Sequence, residues 1–114
     1  MIPAFCKALL CFDPNLSPRA RVADKDYSAC HYKGTNPVWL PTRGMLVRSL
    51  VGGLRVIFDV VDVEWDEARN MYLIFVAVTA GGKARKQLEE ALKKDPSWIN
   101  PSAGDLAESK SLSA

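Results

Sequence analysis

The sequence is poor in the residues that catalysis relies on. His31 is its single histidine, so any acid–base or nucleophile scheme must run through it or through carboxylates. The nearest partners of His31 in sequence are Cys30 and Asp26. Adjacent residues on an extended chain point to opposite faces, which makes Cys30–His31 a poor dyad. The three cysteines, Cys6, Cys11 and Cys30, are odd in number and irregular in spacing, unlike the dense, even framework of a small secreted domain. There is no C-x2-C pair, and no metal site is expected from Cys30 next to His31. Free thiols packed as small hydrophobes, in a cytoplasmic chain, are the expectation.

Other absences narrow the reading further. Gly52-Gly53 and Gly81-Gly82 lack the spacing and the Lys-Ser/Thr ending of a phosphate-binding loop, so no cofactor is expected, although the start of the helix after Gly82 could take a single anion. No apolar run reaches the roughly 18 residues of a membrane span. The stretch from Met1 to Phe12 is short, has Lys7 in its middle and lacks the basic start of a signal peptide. Strong charge of one sign is also missing, since 15 Lys+Arg against 13 Asp+Glu give +2. The distribution is uneven. Residues 1–58 carry eight basic and three acidic side chains (+5), and residues 59–114 carry seven and ten (−3). That asymmetry suits complementation within one fold, or a basic face that meets an acidic partner.

What is present is an ordinary globular composition, 48% hydrophobic and 25% charged over 114 residues, enough for one domain with its own core. The centre is the most readable region. Residues 44–51 and 54–65 are β-prone and joined by Gly52-Gly53, a hairpin signal because both central positions of the favoured turn take positive φ. The polar stretch 66–70 then leads into Met71–Thr79, giving a three-stranded meander over 44–80. Leu54, Val56, Phe58 and Val60 alternate onto one face, but the phase then breaks to Val61, Val63 and Trp65. A bulge near Val60-Val61 would let all seven face one way and turn Arg55, Ile57, Asp59, Asp62 and Glu64 to the other.

The third strand is apolar on both faces, Met71, Leu73, Phe75 and Ala77 on one and Tyr72, Ile74, Val76 and Val78 on the other, so a cover is expected on each side. One cover is a helix over 83–95, with Ala84, Leu88, Ala91 and Leu92 as its apolar stripe and Asp95-Pro96 as its stop. The segment before residue 44 is punctuated by prolines. It reads as a strand over 5–12, short edge strands over 19–23 and 27–32, and a turn over 33–37. The fold class expected is α+β: a strongly bent antiparallel sheet, a small barrel or half-barrel of which the SH3-like variant is favoured, with one C-terminal helix packed on it. Residues 1–95 form the domain, and 96–114 a polar tail docked through Trp98 and Ile99.

The function expected is a non-enzymatic binding or interaction module that self-associates, with a homodimer or another protein as partner. Its binding candidates are Trp39, held between Pro37 and Pro41, together with Arg43, Arg48, Tyr27, Tyr32 and Trp65, and its interface candidates are Trp98 and Ile99. One alternative is a small-ligand cavity under the bent sheet, lined by Phe58, Trp65, Phe75 and Tyr27. Another is single-stranded nucleic acid held by Arg19, Arg21, Lys25, Lys33, Arg43 and Arg48 with the interleaved aromatics Tyr27, Tyr32 and Trp39. The acidic run Asp59, Asp62, Glu64, Asp66, Glu67 reads as a solvated or salt-bridged face.

Overall fold

The computed structural model describes residues 7–19, 25–79 and 82–99. Among them six strands form one strongly curled sheet, a half-barrel. They are β1 (Ala8–Phe12), β2 (His31–Thr35), β3 (Leu46–Val51), β4 (Leu54–Asp66), β5 (Met71–Ala77) and β6 (Trp98–Ile99), in the spatial order β3-β4-β5-β1-β2-β6. One helix, α1 (Gly82–Lys94), packs on it. The sheet is mixed: β1 runs parallel to β5, and the other four pairings are antiparallel. No helix among the described residues is long and apolar enough to cross a membrane.

The meander forms as its sequence dictates. Gly52 and Gly53 take φ of 54° and 86°, the pair of positive values that a two-residue hairpin turn requires, and Val51 pairs with Leu54. The β4–β5 register slips between Val60 and Asp62, placing the bulge at Val61. Val56, Phe58 and Val60 lie in the core beneath α1, with Val63 packed against it, while Val61 lies in the core on the opposite face. The expectation that all seven apolar residues share one face therefore fails at Val61, which the bulge leaves without a partner on β5.

Strand β5 has a core on each face. On one side Ile74, Val76 and Val78 pack with Ala8, Leu10, Phe12, Phe58, Trp98 and the helix residues Leu88, Ala91 and Leu92. On the other, Met71, Leu73, Phe75 and Ala77 pack with Leu9, Cys11, Leu16, Cys30 and Tyr32. Ala84 is exposed, outside the stripe expected of it. At that end the half-buried Arg85 turns toward the body instead and donates to the Pro14 carbonyl at 2.5 Å.

The N-terminal half departs furthest from expectation. Lys33, Gly34 and Thr35 belong to strand β2, where Leu9 faces Gly34 and Leu10 faces Lys33, and do not form the expected turn. Turn-prone residues adopt the strand because both edges of the segment find partners, β1 on one side and β6 on the other. Tyr27–Ala29 is a 3-10 turn, capped by the Asp26 carboxylate accepting from the Ser28 N–H, where an edge strand was expected. Residues 20–24, most of the other expected edge strand, and the tail from residue 100 lie outside the described residues.

Candidate functional site

Two places gather chemistry. The first is inside the second core. Lys25 Nζ bonds Asp62 Oδ2 at 2.9 Å and also Glu64 Oε2, with a lysine side chain only 1% exposed. The ammonium lies 4.1 Å from the centroid of the Phe75 ring, a cation–π contact in a desolvated setting. Tyr27 packs edge-on against the same ring and donates its hydroxyl to Glu64 Oε1 at 2.6 Å. Beneath them Asp13, 1% exposed, accepts from the backbone N–H groups of Asn15 and Asp26. The effect is a clasp. Residues 25–30 are anchored by Cys30 in the second core and by Tyr27 against Phe75, and their one buried cation fastens them to the acids that the bulge turns to this face.

The clasp contains no reactive centre. Burial pushes the Cys11 thiol up, with Cys30 nearby adding to the shift, and pushes Cys30 up to about 12. A thiol so held stays protonated and is a poor nucleophile. Burial also raises Tyr32, whose hydroxyl donates to the Tyr27 carbonyl at 2.6 Å. Burial lowers His31, which stands beside Phe12 with Glu89 and Lys93 of the helix as its charged neighbours, far from a role with either thiol. Among the described residues no group of three or more His, Cys, Asp and Glu could hold a metal ion.

The second place is the β3–β4 hairpin. Its register sets Leu46 beside Asp59, Arg48 beside Ile57 and Leu50 beside Arg55 on the face turned away from the cores. Leu46, Leu50 and Ile57 are 58%, 60% and 51% exposed there. The residues leading into β3 also expose Val38, Trp39 and Met45, of which Trp39 is 78% exposed. Scattered exposed apolar residues are normal, whereas several large ones brought together by adjacent strands mark an interaction site. A groove of about 700 Å³ runs along the hairpin, lined by Arg48, Ser49, Leu50, Arg55, Val56 and Ile57, with Lys33 of β2 completing the wall.

The residues singled out from sequence fall on both sides of this division. Trp39, Arg43 and Arg48 are exposed at or beside the hairpin. Tyr27 belongs to the clasp, and Tyr32 is buried in the second core. Trp65, at the far end of β4, stacks edge-on with Tyr72 at 4.8 Å. Trp98 is buried against Phe58 in its own chain's core, and Ile99 pairs with Tyr32, so both are spent on closing the sheet. Phe58 and Phe75 lie in different cores, on opposite faces of the sheet, and cannot line one cavity with Tyr27 and Trp65. The proposed basic and aromatic stripe is likewise divided, because Lys25 and Tyr32 are inside while Lys33 and Arg48 meet at the groove. Sequence reading missed Lys25 as a structural cation, since its partners lie 37 and 39 residues away. It also passed over Leu46, Leu50 and Ile57; the alternation of Leu46, Arg48 and Leu50 along a single strand was the signal available.

No protein family, curated protein or solved structure matches this chain.

Proposed function

We propose that the chain is a small protein-interaction module whose docking face is the outer surface of the β3–β4 hairpin with the preceding Val38–Leu46 segment. What supports this reading is the grouping of large exposed apolar side chains, Leu46, Leu50 and Ile57, on paired strands, with Trp39 and Met45 also exposed in the segment that leads into β3. Aromatic and aliphatic anchors set among arginines are the composition that interfaces favour. The half-barrel acts as a rigid support, and the loop before β3 adds Trp39, a side chain that supplies large contact area for little ordering cost.

Enzymatic and nucleic-acid readings draw less support. The two thiols among the described residues, Cys11 and Cys30, are buried in the core, and the stripe that would track a nucleic-acid backbone has lost Lys25 to the clasp. The test is a photo-crosslinking residue placed at position 39 of the full chain in its native cells. A discrete adduct that disappears when Leu50→Ser and Ile57→Ser are introduced is the expected result. The absence of any adduct, or an adduct indifferent to those substitutions, overturns the reading. An adduct of two copies of the chain would make the module self-associating.

A further inference from the structure

We infer that the free edge of β3 accepts an extended, acidic segment of another protein as an added antiparallel strand. This rests on the interaction-module reading and specifies the partner. In a two-residue hairpin closed by Val51 and Leu54, the ladder bonds to β4 alternate along β3 and fall on Val47, Ser49 and Val51. The N–H and C=O groups of Leu46, Arg48 and Leu50 therefore point to the outer edge, and among the described residues no strand pairs there. Unpaired edge groups are a template for another chain, and natural edges are ordinarily shortened, bulged or covered. Six residues of β3 carry none of these devices along the edge, whereas β6 at the opposite end of the sheet is only two residues long.

The sign of the partner follows from the lining. Lys33, Arg48 and Arg55 converge on the groove, and none of the three forms a salt bridge with any described carboxylate. Asp95, a carboxylate that feels the charge of Lys33, is already engaged by the Gly52 N–H at 2.9 Å and by Ser97 at 2.5 Å. On the outer face Asp59 stands at the other end of the hairpin, opposite Leu46. An added strand thus meets cations toward the Gly52-Gly53 turn and a carboxylate at the far end. That polarity places its acids beside Arg48, toward the long Arg55 side chain of β4, with its apolar side chains on the same face beside Leu46 and Leu50. Main-chain hydrogen bonds supply affinity in such strand addition, and alternate side chains supply selectivity. A second copy of the chain fits worse. The register that pairs all three outward residues of β3 with themselves sets Arg48 directly against the copy's Arg48, and like charges directly opposite are destabilising.

The experiment is a fluorescence-anisotropy titration of the full chain with a labelled peptide of roughly eight residues that carries Val, Glu and Val at alternate positions, on one face, with Thr between them. Three comparisons accompany it: the same peptide with Lys for Glu, the Glu peptide N-methylated on the amides of one edge, and the Glu peptide against Arg48→Glu with Arg55→Glu. Saturable binding of the Glu peptide is expected, with a loss of about tenfold or more on N-methylation and on charge reversal, and no binding of the Lys peptide. Because N-methylation alters only the peptide, it reads strand addition without touching the fold of the protein. No binding of the Glu peptide, or binding indifferent to N-methylation, overturns the inference. So does a dimer in light scattering that Leu50→Pro dissolves and the peptide does not, which would assign the edge to a second copy. If the position-39 adduct persists while the peptide fails, the docking face stands and only the strand-addition partner is wrong; if both fail, the face itself is wrong.

Discussion

Strand β5 has β4 along one edge, β1 along the other and an apolar core against each face, whereas β3 has β4 on one edge, no strand on the other among the described residues, and leucines turned to solvent. Both are short and rich in apolar residues, and they lie in the same sheet separated only by β4. The contrast shows that apolar content alone does not locate a core. In β5 the apolar residues continue on both faces without interruption, which only a strand covered on both sides can use. In β3 they alternate with Arg48 and Ser49, and the face with Leu46 and Leu50 is the one the fold leaves uncovered. Stability should therefore concentrate at β5 and interaction at β3, and substitutions should separate the two.

The largest effect is expected at the centre of β5. Phe75, fully buried beneath Lys25 and Tyr27, should lose about 3–5 kcal/mol of stability as Phe75→Ala in a denaturant titration; a loss below about 1 kcal/mol would mean that β5 does not carry the fold. Next comes Gly52→Ala, at about 2–4 kcal/mol. Its added methyl would sit 2.7 Å from the Ala91 carbonyl oxygen at a backbone φ of +54°. A thermal melt unchanged from the parent would show that the hairpin does not need this close approach to α1.

Lys25→Ala should cost about 2 kcal/mol, less than a fully enclosed ion pair because Asp62 and Glu64 keep some contact with water. It should also open the cover over Cys30, so in a Cys6→Ser background the remaining thiols should react faster with a disulfide reagent while the native protein's stay protected. On the β3–β4 hairpin, Leu50→Ser with Ile57→Ser should change stability by no more than about 0.5 kcal/mol each yet abolish docking; a clear fall in melting temperature would place this face in the core after all. The smallest effect is pH-dependent. Burial lowers His31 from its ordinary 6.5, so the unfolded chain takes up the proton first. The contribution is complete above that value and is lost as the pH falls from it through the lower folded value. The modest drop in melting temperature between about pH 7 and about pH 5.5 should be reduced in His31→Gln.

The sequence was most legible where structure is local. The Gly52-Gly53 turn, the two-faced apolar pattern of β5, the phase break at Val60-Val61 and the Leu88, Ala91, Leu92 stripe each depend on neighbours a few residues away. Strand β2 was hidden because Lys33-Gly34-Thr35 has turn chemistry, overridden by pairing with β1 and β6. The parallel alignment of β1 with β5 joins segments more than sixty residues apart and leaves no mark in either strand's alternation. At the candidate site Trp39 and Arg48 could be singled out as aromatic and basic, but their grouping with Leu50, Ile57 and Lys33 depends on a register and a curl that only the folded sheet supplies.

The bulge at Val61 works as a change of parity. Before it, even-numbered positions of β4 look toward the helix; after it, odd-numbered ones do, so a single strand is read in two frames. Were Val61 instead paired into a regular ladder with β5, the amino-acid composition would be untouched and the roles of everything downstream would still be exchanged. Asp62 and Glu64 would turn into the apolar layer under α1, Val63 and Trp65 would face Lys25, and the clasp would lose both its anions. One unpaired residue thus decides which side of the sheet is oil and which side holds the ions, and deleting it would straighten the strand with Asp62 still opposite Phe75.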